Sequence, residues 1–201
     1  LLNELKNELQ TMGIAAKIDD NGYVTAVIPA TKSGLKRICF ISHVDMSPAV
    51  SGRNVNPQFV NYNGGDIILK NGIKISLEEN PYMSKYIGKE LIVTDGETLL
   101  GADDKAGVAE IMSAAEILAN DKSIAHGDVL IAFTPDEEIG RGTDMFDVKA
   151  FGADFGYTVD GGELGGIEYE NFNAASATLT VNGVSIHPGS AKNVMKNAID
   201  L

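Results

Sequence analysis

An unbroken apolar stretch at residues 128–133 is the feature that most constrains the fold. After Asp128 it reads Val-Leu-Ile-Ala-Phe. A strand with one face in water alternates polar and apolar residues, so a continuously apolar strand must be covered on both faces. Such strands occur in sheets that carry helices on both sides. The stretch therefore predicts an α/β sheet with parallel members, and 201 residues are enough to bury its core.

Other segments supply further strands and the helices between them. Strands are predicted at residues 23–28, 35–42, 91–94 and 155–159, with a hairpin of 66–69 and 73–77 around Asn71-Gly72. Apolar residues at helical spacing predict a helix from Leu2 to Met12, and residues 105–119 predict a second helix rich in small residues. This alternation favours a mixed, largely parallel sheet with helices on both faces.

The pattern changes near residue 170. Residues 174–181 alternate polar and apolar side chains, as a strand does, and residues 191–201 read as a helix. We therefore expect two domains, at 1–170 and 171–201. Because the chain begins without Met and ends inside a predicted helix, we expect it to be part of a longer protein.

Composition excludes several classes of protein. With 16 basic and 28 acidic residues the net charge is −12, which argues against a nucleic-acid partner, and 44% hydrophobic residues argue against disorder. No apolar stretch reaches the roughly 18 residues of a membrane span and no signal peptide opens the chain, so we expect a soluble, cytoplasmic protein with no membrane partner. A single cysteine, Cys39, rules out a disulfide framework and is expected to be a buried thiol.

Acidic and imidazole groups cluster where predicted strands end and where the second helix begins. The clusters are His43 and Asp45; Asp103 and Asp104; Asp136, Glu137 and Glu138; and Asp160. Carboxyl ends of parallel strands share one edge of a sheet, so these groups are expected to converge. Converging carboxylates repel one another unless a cation neutralises them, and an imidazole among carboxylates suits Zn²⁺, Mn²⁺ or Co²⁺. Taken singly, each group also fits a helix cap, a turn or an acidic first helical turn.

Four motifs in this order resemble the di-zinc exopeptidase family that includes carboxypeptidase G and succinyl-diaminopimelate desuccinylase. They are His-Val-Asp at 43–45, Gly-Ala-Asp-Asp-Lys-Ala-Gly at 101–107, Thr-Pro-Asp-Glu-Glu-Ile-Gly at 134–140 and Tyr-Thr-Val-Asp-Gly-Gly at 157–162. Within the family, the second and third motifs and residues 170–175 most resemble the tripeptide aminopeptidases. The resemblance implies that residues 1–170 are most of a zinc peptidase domain and that 171–201 begin a lid and dimerisation domain.

The resemblance also implies an activity, to which there are alternative functions. The implied reaction is hydrolysis of the N-terminal peptide bond of short peptides, tripeptides above all, by a homodimer with two zinc ions per complete subunit. A carboxypeptidase or amide deacylase with the same metal centre is an alternative. A second alternative is a non-catalytic relative that binds metal or peptide. A third is that the acidic residues form no site and are only surface charge.

Roles for individual residues follow from the resemblance alone. The implied metal ligands are His43, Asp103, Glu138 and Asp160, of which Asp103 bridges both ions. Asp103 is preferred to Asp104 because the family pattern places the ligand two residues before Lys105. Three further residues are implied to be catalytic: Asp45 orienting the imidazole, Glu137 as general base, and His187 steadying the oxyanion of a neighbouring subunit.

One ligand of the family is missing. The second zinc needs a further histidine near the C-terminus, and this chain has only His43, His126 and His187. His126 precedes the apolar strand and so lies at the opposite end of that strand from Glu137. We expect the second metal site to be incomplete here and the chain to be inactive by itself.

Overall fold

The computed structural model describes residues 1–171 and 173–200. The chain forms two compact units, Leu1–Glu163 and Leu164–Leu201. The division comes a little before residue 170, where the pattern of the sequence changes.

The first unit contains three α-helices and nine strands among its described residues. In chain order they are α1 (Leu2–Thr11), β1 (Ala15–Ile18), β2 (Val24–Ile28), β3 (Ile38–His43), β4 (Gln58–Tyr62), β5 (Ile67–Ile68), β6 (Lys74–Ile75), β7 (Lys89–Val93), α2 (Ala102–Asn120), β8 (Val129–Thr134), α3 (Val148–Phe151) and β9 (Phe155–Thr158). Short 3₁₀ helices occupy Pro81–Tyr86 and Glu137–Ile139.

Five of the strands form a mixed sheet in the order β1-β2-β8-β3-β9. β3 pairs in parallel with both β8 and β9, whereas β2 runs antiparallel to β1 and β8. The expected α/β class with a mixed sheet is confirmed. Parallel pairing is limited to β3, β8 and β9. β1 and β2 are joined by a short turn, and strands joined in this way pair antiparallel.

Every residue of β8 is buried, as its continuous apolar sequence predicts. Helices α1 and α2 cover one face of the sheet, where Leu9, Ile111 and Phe133 belong to one cluster of buried apolar residues. On the other face, Phe146 and Phe151 lie beside Leu130, and α3 supplies a single helical turn. Helices therefore lie on both faces of the sheet, with two longer helices on one face and a single helical turn on the other.

Residues 46–98 form a separate layer with its own small core. β4 pairs with β7 and β5 pairs with β6, both antiparallel, around the buried residues Tyr62, Ile67 and Met83. The hairpin around Gly72 agrees with its prediction, because the Gly72 N–H donates to the Leu69 carbonyl oxygen at 2.8 Å. The strand β4 was not predicted, because the polar Gln58 lies on its partly buried face and the apolar Phe59 on its exposed face.

Two predictions for the second unit are wrong. Residues 174–181 form no strand, because a strand needs a paired neighbour and the only pairing among the described residues of this unit is the bridge of Val184 with Lys196. Residues 191–200 form no helix, since Asn193 has a left-handed φ of 63° that interrupts helical geometry. The predicted helix end at Leu201 lies outside the described residues.

Among the described residues, no helix has the length and apolar character required to cross a membrane.

Candidate metal centre

The parallel strands bring three of the sequence clusters to one edge of the sheet. His43 is the last residue of β3 and pairs with Thr134 at the end of β8. The register continues past β9, because the Val159 N–H donates to the Ile41 carbonyl oxygen at 2.8 Å. Asp160 therefore follows β9 beside His43, and Glu137 follows β8 on the other side.

Three side chains meet at this edge in a geometry that suits a metal ion. His43, Asp103 and Asp160 each offer a ligand atom, and these atoms all lie within 4.8 Å of one another. The Nε2 atom of His43 is 2.8 Å from Oδ1 of Asp103. His43 is 3% exposed, whereas both carboxylates are open to solvent, so an ion can reach the group from outside.

The electrostatics of the group favour a cation. Burial disfavours protonation of His43, but Asp103, Asp104, Asp160 and Asp45 outweigh it and raise the pKa of the imidazole. Burial, followed by repulsion from Asp103, raises the pKa of Asp160. A divalent cation between these groups would relieve the repulsion, and one imidazole with two carboxylates is a donor set that Zn²⁺ accepts.

Asp45 contacts both His43 and the glutamates that follow β8. Its Oδ1 lies 3.3 Å from Nδ1 of His43, a buried nitrogen with no hydrogen bond of good geometry. The same carboxylate accepts the backbone N–H groups of Glu137 at 3.2 Å and Glu138 at 3.1 Å. Asp136 starts this segment with a left-handed φ of 62°.

The adjacent residues Glu137 and Glu138 differ in their exposure and in their distance from the three candidate ligands. Oε2 of Glu137 is 3.8 Å from Nε2 of His43, and the side chain is 54% exposed. Glu138 is half-buried and, among the described residues, belongs to no cluster of three metal-binding side chains. Its role as ligand of a second ion stays a prediction.

Asp104, to which the sequence assigned no role beyond its place in the acidic cluster, is fully buried. Its Oδ2 accepts the Ser42 hydroxyl and the His43 backbone N–H, and its Oδ1 accepts the Gly107 N–H at 3.2 Å. Burial raises the pKa of this carboxyl against the lowering effect of the hydrogen bond from Ser42. A signal existed, because Asp before a helix commonly caps the N–H three residues later.

The remaining histidines lie elsewhere. The backbone N–H of Gly189 donates to Nδ1 of His187 at 3.2 Å in the second unit. His126 comes before β8, at the end of the sheet opposite His43, with Nδ1 2.7 Å from the Gly127 carbonyl oxygen. Cys39 is buried, as predicted.

Comparison of the whole sequence with known proteins gives one consistent answer. The chain is 57% identical over 201 residues to peptidase T of Caldanaerobacter subterraneus subsp. tengcongensis, which covers 98% of this chain and 49% of the relative. It is 56% identical to peptidase T of Clostridium acetobutylicum, with coverages of 98% and 50%. The chain is therefore similar to peptidase T over nearly its whole length. It spans about half the length of these relatives.

Two further comparisons agree with peptidase T. Residues 169–201 match the M20 peptidase dimerisation domain. The crystal structure of aminopeptidase PepT from Bacillus cereus superposes with a TM-score of 0.58 at 28% identity, over 79% of this chain and 37% of that one. A tripeptidase from Staphylococcus aureus, at 24% identity and a TM-score of 0.56 over 80% of this chain and 37% of that one, has the same fold.

Proposed function

We propose that the full-length protein is a zinc-dependent aminopeptidase that removes the N-terminal residue of short peptides, tripeptides above all. The observation that carries this proposal is the group of His43, Asp103 and Asp160 with Glu137 beside it. The similarity to peptidase T over nearly the whole chain supports the substrate class.

In this proposal His43, Asp103 and Asp160 hold the first ion. Asp103 and Glu138 contribute to a second ion, whose remaining ligand lies outside these residues. Bound zinc supplies Lewis-acid polarisation and lowers the pKa of water. The chain's own part is to fix the geometry of the ligands.

Glu137 is the proposed general base. Its carboxylate is solvent-accessible and adjacent to the metal ligands, and the hydrogen bond from its backbone N–H to Asp45 fixes the main chain from which it projects. A carboxylate in this role takes a proton from the attacking water at Oε2 and returns it to the leaving amine. Asp45 orients the imidazole of His43 through Nδ1.

His187 is proposed to act in a homodimer. The Gly189 N–H occupies Nδ1, so the neutral ring carries its proton on Nε2, where it is a donor. A donor of this kind stabilises a developing oxyanion. The match of 169–201 to a dimerisation domain supports a second subunit, and the proposed location is the cytoplasm.

The proposal is tested with the full-length protein and three forms of one tripeptide: free, N-acetylated and C-terminally amidated. We expect release of the N-terminal residue from the free and amidated forms, and none from the acetylated form. Release of the C-terminal residue would indicate a carboxypeptidase, and deacetylation would indicate an amide deacylase. Either outcome contradicts the proposal.

A further inference from the structure

We propose that Asp104 and Gly107, near the N-terminus of α2, are positioning residues that set the separation of all three candidate metal ligands. This inference rests on the proposed metal site. Asp103 belongs to the same segment, which Asp104 connects to His43 and Gly107 connects to the residue before Asp160.

Asp104 fixes His43. Its carboxylate accepts the backbone N–H of His43 at 3.1 Å, and a second bond, from the neighbouring Ser42 hydroxyl, reaches the same oxygen. The other oxygen accepts the Gly107 N–H at the start of the regular helix. One carboxylate thus joins the end of β3 to the start of α2, one residue from Asp103.

The burial of Asp104 makes this connection rigid. No part of the side chain is exposed, so water cannot replace a lost partner. A buried polar group without its partner costs roughly 1–3 kcal/mol, more for a charged one. The three donors therefore hold the carboxylate in one arrangement, which fixes the main chain of His43 relative to Asp103.

Gly107 fixes Asp160 by contact rather than by a hydrogen bond. A Cβ atom at Gly107 would lie 2.0 Å from the carbonyl oxygen of Val159 and 2.5 Å from Oδ1 of Asp104. Only glycine lets α2 approach the main chain just before Asp160 this closely. A larger residue must push the end of β9 away from α2, and Asp160 with it.

The test is metal affinity in the full-length protein, with the variants Asp104→Asn and Gly107→Ala. The dissociation constants for Zn²⁺ and Co²⁺ are measured by chelator competition, and the visible spectrum of bound Co²⁺ reports the coordination geometry. We expect affinity about tenfold to a hundredfold weaker in both variants, the usual range for residues that support metal ligands. A changed Co²⁺ spectrum is expected as well.

The matched control for Gly107→Ala is Gly127→Ala. Its Cβ would lie 2.2 Å from the Lys36 carbonyl oxygen, an equally close contact, but at the opposite end of the sheet. We expect this variant to lose stability while its metal affinity and Co²⁺ spectrum stay those of the wild type. Glu110→Gln, an exposed carboxylate on α2, is the control for Asp104→Asn.

The outcomes separate the inference from the proposed function. If wild type and Asp103→Ala bind Zn²⁺ equally poorly, the metal site itself is wrong. If Asp103→Ala loses the ion while folded Asp104→Asn and Gly107→Ala keep wild-type affinity and spectrum, the metal site stands and the positioning roles are wrong. Should Asp104→Asn not fold, Ser42→Ala removes one of its donors, and an unchanged affinity there overturns the role of Asp104.

Discussion

The Asp45 carboxylate contacts the ring of His43, with Oδ1 3.3 Å from Nδ1. It also accepts the backbone N–H groups of Glu137 and Glu138. One side chain therefore relates the imidazole at the end of β3 to the glutamates that follow β8. The position of the proposed general base depends on the same group that contacts a proposed metal ligand.

Asp45→Ala should speed amide hydrogen exchange at Glu137 and Glu138. Both N–H groups lose their acceptor, and they lie at the start of the short 3₁₀ helix Glu137–Ile139, where the first N–H groups have no partner inside the helix. Exchange is measured by NMR or mass spectrometry. Asp147→Ala is the matched control, because its carboxylate accepts the Ala150 N–H at 2.9 Å outside the site and its removal should affect only that region. Unchanged exchange at both glutamates in Asp45→Ala would contradict the contacts described.

Glu137→Gln and Glu138→Gln should have different effects in the full-length enzyme. Loss of a general base lowers turnover by about two to four orders of magnitude, so Glu137→Gln should do this with metal content near normal. Glu138→Gln should lower metal occupancy as well. Turnover and metal content are measured on the same samples. Metal loss that follows Glu137 instead would mean that the two roles are reversed.

The 201-residue chain should retain about one tightly bound ion after dialysis against metal-free buffer. His43, Asp103 and Asp160 give three ligands for one site, whereas Asp103 and Glu138 alone leave a second ion under-coordinated. Elemental analysis measures the ratio of metal to protein. Two tight ions per chain, or none after exposure to excess zinc, would contradict the assignment.

The free energy of unfolding should fall more steeply above pH 8.5 in the wild type than in Cys39→Ala. Burial raises the pKa of the Cys39 thiol in the folded protein, so the unfolded chain loses this proton first as the pH rises. The contribution is complete below the unfolded pKa of about 8.5 and is lost as the pH rises through the folded pKa. Urea unfolding between pH 7 and 10 measures both slopes. Equal slopes would show that the thiol titrates alike in both states.

A mixture of His187→Ala and Glu137→Gln full-length chains should regain activity. If His187 serves the neighbouring subunit, each mixed dimer has one site with an intact Glu137 and an intact His187. Random exchange makes about half the dimers mixed, so up to about a quarter of wild-type activity should return. Absence of recovery after proven subunit exchange would leave His187 as an ordinary polar residue before a turn.

The sequence predicts the central strands and the edge of the sheet where the ligands meet. Continuous apolar runs identify β3 and β8 because burial on both faces leaves no room for polar residues, and His43 and Glu137 follow from the ends of those strands. β1 and β4 are only four and five residues long, so their alternation is too short to identify them, and pairing with a neighbouring strand makes them strands.

Polar contacts at long range could not be predicted from one sequence. Asp103 and Asp104 are adjacent and chemically identical, yet one is open to solvent and the other is fully buried. The cap on the Gly107 N–H is local, but the burial of Asp104 against Ser42 and His43, on a strand distant in sequence, leaves no mark in the local pattern. In the second unit, the alternation of residues 174–181 predicted a strand, but the described residues include no partner with which it pairs.

The three proposed metal ligands come from β3, the start of α2 and the end of β9, three elements that lie far apart along the chain. No local segment of an unfolded chain can gather them, so an ion held by all three binds only the native state. Binding and folding are then thermodynamically linked. Free metal at about 100 times its Kd would add about 2.7 kcal/mol to the free energy of unfolding, and chelation would remove it, which makes the melting temperature a measure of site occupancy.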